Sequence, residues 1–320
     1  MKATAVAHPI QGLVKYHGMR DPDLRLPYHD SISVCTAPSR TRTTVEWGHD
    51  ADALTIDGEQ ADDRALDRVT RVLDRVRALA DRSDGARVAS ENNFPSNVGL
   101  GASSSAFAAL AFAACRAADL EHDRSAISAV ARRGASSAAR SVTGGFSQLR
   151  ASMRDEDCVS ERLDDGFTDD LRIVIGLVPA HKHTARAHEE AEESPFFRAR
   201  LARMPEAIAE MRSHVQMGDR EAAFALAERD SLSLLATTMT GPENWIYWRP
   251  ETLELLRAVR RLREEDGVPV HFSTDTGATA YLNTTAAAAD RVAETVEDLG
   301  LDSMTWEVGG PARTVDDHLF

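Results

Sequence analysis

The chain has 320 residues, enough for two domains or one large one, and a net charge of −14 from 51 acidic against 37 basic residues. That balance argues against nucleic acid or an anionic membrane as partner, and any anionic ligand must be met by a local basic pocket. Lysine occurs only at Lys2, Lys15 and Lys182, while aspartate runs such as Asp62-Asp63, Asp164-Asp165, Asp169-Asp170 and Asp316-Asp317 recur along the chain. A single charge run is ordinarily a solvated face. Spread this widely, with lysine nearly absent, it is the surface composition of a halophile protein, where salt screens self-repulsion. Cys35, Cys115 and Cys158 are far apart and read as reduced thiols. No signal pattern or membrane-length apolar run is present, so a cytoplasmic protein is expected.

Residues 3–16 read as extended, ending in Leu13-Val14-Lys15-Tyr16, and residues 26–34 as a strand through the alternation Asp30-Ser31-Ile32-Ser33. Lys15 is either a surface lysine kept by chance or a functional cation. Residues 62–82 predict an amphipathic helix with Leu66, Val69, Val72, Leu73, Val76 and Leu79 on one stripe. A strand over 86–91 leads into SENNFPSNVGLGASSSAFAAL, residues 90–110. This stretch bends at Pro95, passes Gly99 and Gly101, and enters three serines and an Ala-rich helix that is apolar almost all round. Glycines followed by hydroxyls at a helix start make either a tight N-cap or an anion site. There the N–H groups are unpaired, the dipole is positive and no side chains block approach.

A second helix from about Arg124 runs into RRGASSAARSVTGGF, whose small residues suit either a close helix contact or a ligand site around Arg140. Residues 171–178 predict a buried strand. His181, His183 and His188 raise the question of a metal, but no carboxylate or cysteine set completes it, and no metal held by side chains is expected. Residues 204–240 read as helical with a break at Gly218-Asp219, and Trp245, Tyr247 and Trp248 as a packed loop. A helix over 251–265, strands over 270–274, 279–284 and 304–308, and a helix over 286–299 complete an α+β sandwich. Asp275 is a turn residue before Gly277 or a positioned acid.

Pro-x-x-x-Gly-Leu-Gly-x-Ser-Ser, beginning at Pro95, resembles the phosphate loop of the GHMP kinase superfamily. ENNFP followed by GLGAS and FAAL is closer still to the ATP-dependent mevalonate diphosphate decarboxylases. HPIQGLVKYHGMRD resembles that family's Lys-Tyr-Trp-Gly-Lys run; Lys15, Tyr16 and Gly18 match, whereas His17 and Met19 replace the Trp and second Lys. Residues 133–146 resemble its Gly-Ser-Gly-Ser-Ala-Cys-Arg-Ser pattern through Gly134, Ser137, Ala138, Arg140 and Ser141, with Ala135 in place of a serine and Ser136 in place of a glycine. Arg186 matches the arginine of a Ser-Arg pair whose serine is here Ala185. Asp275-Thr276-Gly277 matches its Asp-x-Gly.

The resemblance implies the GHMP kinase fold, an α+β two-domain sandwich. Residues 1–180 would form an N-terminal domain like domain 2 of ribosomal protein S5, and residues 181–320 a ferredoxin-like C-terminal one, in a homodimer. It also implies ATP with Mg²⁺. Asn93, Pro95, Gly99, Gly101, Ser103, Ser104 and Ser105 would cradle the nucleotide, whose own oxygens largely hold the metal. Asp275 would accept the proton of the substrate's 3-hydroxyl, Lys15 would stabilise the transferring phosphoryl, and Arg140 would hold the carboxylate. Tyr16, Ser136, Ser137 and Arg186 would bind the rest of the substrate. Met19, Ala135 and Ala185 remove one charge and two hydroxyls from the diphosphate end and leave the reacting end whole. The expected substrate is therefore mevalonate 5-phosphate and the product isopentenyl phosphate. Competing readings are a diphosphate decarboxylase, a GHMP kinase without decarboxylation, a decarboxylase that no longer needs ATP, and a non-catalytic nucleotide-binding regulator.

Overall fold

Pro9 breaks the extended N-terminus, because it has no N–H with which to continue a ladder. In the computed structural model, β1 (Lys2–Ala7) and β2 (Ile10–Val14) accordingly lie in different sheets. The structure describes residues 1–95, 98–163, 166–179 and 184–320, without the side chains of residues 184–187 and 189. The segment expected as one strand over 26–34 is divided. β3 (Met19–Asp21) and β4 (Leu26–Pro27) form a small hairpin, and β5 (Ser31–Ala37) starts afresh beyond it. β6 (Thr41–His49), β7 (Ala53–Ile56) and β8 (Glu59–Gln60) follow. Next comes α1 (Asp63–Ala80), whose first N–H groups are capped by the Asp62 side chain, and then β9 (Gly85–Asn92).

The glycine-rich stretch opens α2 (Ala102–Ala117), with Gly101 as N-cap at φ 72°. α3 (Arg124–Arg132) and α4 (Ala138–Thr143) are separated by a turn, and β10 (Phe146–Leu149), β11 (Ser160–Arg162) and β12 (Leu171–Leu177) lead into the second half. There α5 (Thr184–Glu193), α6 (Phe197–Met217), α7 (Arg220–Met239) and α8 (Pro250–Glu264) precede β13 (His271–Thr274), β14 (Ala280–Thr285), α9 (Ala289–Glu297), β15 (Asp302–Val308) and β16 (Arg313–Val315). The long helical region thus starts seven residues earlier than its apolar pattern suggests, because Phe197 and Arg200 are buried in an added first turn. The last helix is shorter than expected: residues 286–288 are taken up by the turn after β14.

Two larger sheets carry the fold. One runs β16-β1-β6-β9-β7-β8; the other runs β11-β10-β5-β15-β12-β14-β13, with β2 added alongside β5. β5 joins the halves of the second sheet, since it pairs with β2 and β10 near its start and with β15 at Thr36 and Ala37. β12 pairs with β14 and β15. α2 packs on the first sheet, where Phe107, Leu110 and Phe112 meet Val45, Trp47 and Leu73 in one core, and the Trp47 indole N–H donates to Ala114 O at 3.1 Å. Each large side chain buried this way contributes about 1.5–3 kcal/mol. A second core packs α6 and α7 against β2, β5 and β12, and a third packs α8 and α9 on the outer strands. Among the described residues no helix is long and apolar enough to cross a membrane. The end of β2, the start of α2, α4, α7 and the β13–β14 turn converge on one cleft.

Candidate active site

Ile10, Gly12, Lys15, Tyr16, His17, Gly101, Ser103, Ser104, Ser137, Arg140, His188, Leu234, Asp275 and Thr276 line a cleft of about 610 Å³. Residues from four separate sequence motifs are therefore neighbours in space. Their positions are set by contacts between segments more than two hundred residues apart. Gln11 on β2 donates from Nε2 to Ser273 Oγ at 3.0 Å and to Asn283 Oδ1 at 2.9 Å, which docks β2 on β13 and β14. Just beyond β13, Asp275 turns back so that its Oδ1 accepts the Gly12 N–H at 3.1 Å. Only a residue without a side chain permits this: a Cβ at Gly12 would stand 2.9 Å from Asp275 Oδ1 and 2.8 Å from Lys15 Cγ.

Lys15 is 6% exposed. Its Nζ donates to Ser231 Oγ at 3.0 Å and faces Asp230 Oδ2 at 3.4 Å, and its backbone N–H donates to the same carboxylate at 3.0 Å. Ser231 also accepts the Thr274 N–H at 3.1 Å and donates to Ala227 O, so it ties the lysine to the strand that carries Asp275. Burial lowers the Lys15 pKa, and the carboxylates of Asp230 and Asp275 oppose that shift. Asp230 also pairs with Arg200 at 2.8 Å, and Arg200 donates to Lys15 O at 2.7 Å. The buried pair of Arg200 on α6 and Asp230 on α7 was not found from the sequence. Asp230 lies inside a helix with no polar stripe to single it out.

Arg140, on α4, is 3% exposed and donates from Nη1 to Ser31 Oγ, while its buried Nε has no hydrogen-bond partner. Burial lowers its pKa, with Tyr16 and Asp275 acting to raise it, and its guanidinium lies 5.5 Å from the Tyr16 ring centroid. The Tyr16 ring stacks on His188 at 5.3 Å, and burial raises its phenol pKa. A buried guanidinium with an unused N–H at a cleft is suited to a planar anion such as a carboxylate.

The three serines of α2 have different surroundings. Ser104 Oγ accepts the Ile10 N–H at 3.1 Å and donates to Gly101 O, and Ser105 Oγ bonds Thr41 Oγ1 at 2.6 Å inside the core. Ser103 is exposed at the rim. It also borders a second hollow of about 840 Å³, lined by Leu54, Ile56, Arg68, Val69, Val88 and Phe107 among others. At Gly101 a Cβ would approach Ile10 O to 2.8 Å, so the backbone at the helix start stays bare. The combination of a bare helix N-terminus, a free-standing hydroxyl and an adjoining apolar hollow fits a nucleotide with its phosphates at α2 and its base in the hollow.

Several expected contacts are not brought into the cleft. Asn93 holds its own loop, accepting the Arg40 N–H at 2.6 Å and donating to Pro38 O at 3.0 Å. Pro95 is exposed, and Gly99 O accepts the Tyr281 hydroxyl at 2.9 Å. Ser136 is buried behind the lining, where its Oγ donates to Arg25 O at 2.9 Å with Met19 Sδ at 3.8 Å. His181, His183 and the side chain of Arg186 lie outside the described residues, as do Asp164 and Asp165. His188 lines the cleft against Tyr16 and His17. Among the described residues no group of three or more His, Cys, Asp or Glu is placed to hold a metal.

Residues 7–160 match the family model described as a diphosphomevalonate decarboxylase-like N-terminal domain. The chain is 56% identical to the phosphomevalonate decarboxylase of Haloferax volcanii, over 99% of this chain and 98% of that relative. It superposes on the mevalonate diphosphate decarboxylase of Staphylococcus aureus with a TM-score of 0.94 at 25% identity, covering 98% of each chain. A complex of MDDEF with MVAPP, AMPPCP and magnesium matches with a TM-score of 0.91 at 25% identity over 99% of each chain.

Proposed function

This chain belongs to the diphosphomevalonate decarboxylase-like family, and from that premise we propose that it is an ATP-dependent decarboxylase converting mevalonate 5-phosphate to isopentenyl phosphate, CO₂, ADP and phosphate. Its α+β fold is the GHMP kinase fold of those enzymes. The observation that carries the reading is the convergence of Lys15, Arg140 and Asp275 on one cleft beside Gly101 and Ser103.

ATP with Mg²⁺ supplies the phosphoryl group that turns a tertiary hydroxyl into a leaving group. Gly101 and Ser103 would hold its phosphates, and the hollow bounded by Phe107 and Val69 its base. The chain's own part begins at Asp275, which orients the substrate's 3-hydroxyl and accepts its proton. Lys15, kept in place by Asp230 and Ser231, puts a fixed cation where charge develops. Arg140 keeps the carboxylate aligned until phosphate leaves the tertiary carbon and CO₂ departs with formation of the double bond. On this reading residues 1–180 carry the nucleotide and residues 181–320 complete the substrate side, and the protein works as a cytoplasmic homodimer.

The monophosphate assignment is supported by the name of the Haloferax volcanii relative and by two replacements in the sequence. Met19 and Ala135, both buried, stand where the family motif carries a lysine and a serine, and neither side chain can donate a hydrogen bond to a second phosphate. The test is product analysis with pure protein, ATP and Mg²⁺ at high salt, supplying mevalonate, its 5-phosphate and its 5-diphosphate in turn. Isopentenyl phosphate and CO₂ from the 5-phosphate, with the highest kcat/KM of the three, is expected. A higher kcat/KM for the diphosphate overturns the assignment, and phosphorylation without CO₂ overturns decarboxylation.

A further inference from the structure

An edge strand presents backbone groups that need partners. β13, which carries the chain into Asp275, ends the second sheet and pairs with β14 alone among the described strands. Alternate residues of a strand turn their N–H and C=O groups the same way, so Val270, just before β13, Phe272 and Thr274 share the open side. Side chains from two helices meet them there. Arg263, near the end of α8, donates from Nη1 to Val270 O at 2.9 Å. Glu228 on α7 accepts the Phe272 N–H on Oε2 at 3.3 Å, and Ser231 accepts the Thr274 N–H at 3.1 Å. Glu228 and Ser231 have the i, i+3 spacing that puts both on one face of α7.

The first two of these contacts form one unit. Arg263 closes on Glu228 with both terminal nitrogens, Nη1 to Oε2 at 3.0 Å and Nη2 to Oε1 at 3.3 Å, so the donor for Val270 O and the acceptor for Phe272 are fixed to each other. Glu228 is buried, and it is not one of the residues that line the cleft. A buried carboxylate is costly unless it is paired and hydrogen-bonded, and what this one secures is the strand that ends at Asp275. We propose that Glu228, clamped by Arg263, is a positioning residue for the decarboxylation: with Ser231 it stands in for the missing neighbour strand and sets where β13 delivers Asp275. Ser231 completes the device, because its hydroxyl also accepts Lys15 Nζ at 3.0 Å. One helix therefore fixes the base and the cation relative to each other, while the Gly12 N–H holds the Asp275 carboxylate from β2. This inference rests on the decarboxylase reading of the site and adds to it a residue outside the cleft.

The test compares wild type with Glu228→Met, which keeps the length of the side chain and removes the acceptor, and Glu228→Gln, which keeps an acceptor oxygen and removes the charge. Mevalonate 5-phosphate and ATP are titrated separately. Glu228→Met should lose ~10- to 100-fold in kcat, the scale of a misplaced catalytic group, with both KM values within about threefold of wild type. Glu228→Gln should keep kcat within about threefold of wild type. Amide hydrogen exchange at Phe272 should be faster in Glu228→Met and stay slow in Glu228→Gln. A folded Glu228→Met with wild-type kcat, a loss confined to KM, or a Glu228→Gln as impaired as Glu228→Met overturns the proposal. Should Glu228→Met not fold, Arg263→Leu, at a partly exposed position, releases Val270 O and should lower kcat by ~3- to 10-fold at unchanged KM; wild-type kcat there overturns the proposal as well. Wild type that releases no CO₂ from mevalonate 5-phosphate refutes the functional reading instead, while exchange at Phe272 still reports on the edge, so the two failures are distinguishable.

Discussion

Asp230→Asn is the perturbation that best separates packing from chemistry in this cleft. The carboxylate is 4% exposed and balances two buried cations, Arg200 and Lys15. It accepts the Lys15 N–H at 3.0 Å, Lys15 Nζ at 3.4 Å and Arg200 Nη2 at 2.8 Å. Asparagine keeps the shape, but it removes the charge and turns an amide NH₂ toward one of the cations. Breaking a buried ion pair by neutralising one partner costs about 3–5 kcal/mol, a large part of a typical folding stability of about 5–15 kcal/mol. The variant should fold with a clearly lowered unfolding midpoint. Its second effect falls on Lys15, whose ammonium loses the partner that most opposes desolvation. The Lys15 pKa must then fall further, so the alkaline limb of kcat/KM moves to lower pH. Chemical denaturation and a pH–rate profile on the same preparation measure both effects. A destabilised variant with an unmoved alkaline limb would show that Asp230 only packs, and the positioning role argued for it would be wrong.

Asp275→Asn should lower kcat by at least about a hundredfold with substrate still bound, the usual scale for a general base, as single-turnover and binding measurements would show. Gly101→Val should abolish nucleotide binding, because φ is 72° and a Cβ would approach Ile10 O to 2.8 Å; unchanged ATP affinity by calorimetry would refute the phosphate-cradle role. His29 is held neutral by burial, its pKa lowered to about 4 from 6.5, and its Nε2 has no hydrogen-bond partner. The unfolded chain therefore binds the extra proton first. The stability His29 provides is complete above about pH 6.5 and is lost as pH falls toward 4, and His29→Gln should flatten that part of a melting-temperature profile.

The sequence was most legible where one signal dominates. α1 shows its apolar stripe, and α2 is Ala-rich and buried almost throughout, as its all-round apolar pattern implies. β6 was not read from the sequence because its buried positions include Thr41, Thr43 and Thr44, polar residues held by hydrogen bonds to Asn92, Ser90, Ser105 and Thr4 rather than by apolar character. Lys15, Arg140 and Asp275, the reacting groups of the proposed function, were legible through motif resemblance alone, since each also admits an ordinary structural role. Asp230 and Arg200 were not legible. Buried ions inside α7 and α6 carry no local pattern, and their meaning comes from contact with Lys15 across 215 residues of chain.

The two ends of the cleft are built on different supports, and this bears on how such an enzyme can change substrate. Asp275 and Lys15 are locked together through Gly12, Ser231 and Asp230, so a shift in any one disturbs all of them. That coupling preserves the chemistry. The short β3–β4 hairpin and the turn between α3 and α4 are joined separately, by the bond from Ser136 to Arg25 O. Met19 in the same hairpin is held separately, by its N–H donating to Glu192 Oε1 at 2.7 Å. Neither of these bonds involves Gly12 or Asp275. On the proposed function, a Met19→Lys exchange in the hairpin should therefore shift preference toward the diphosphate while Asp275, Lys15 and Arg140 keep their geometry, and an unshifted ratio of kcat/KM for the two esters would refute that account.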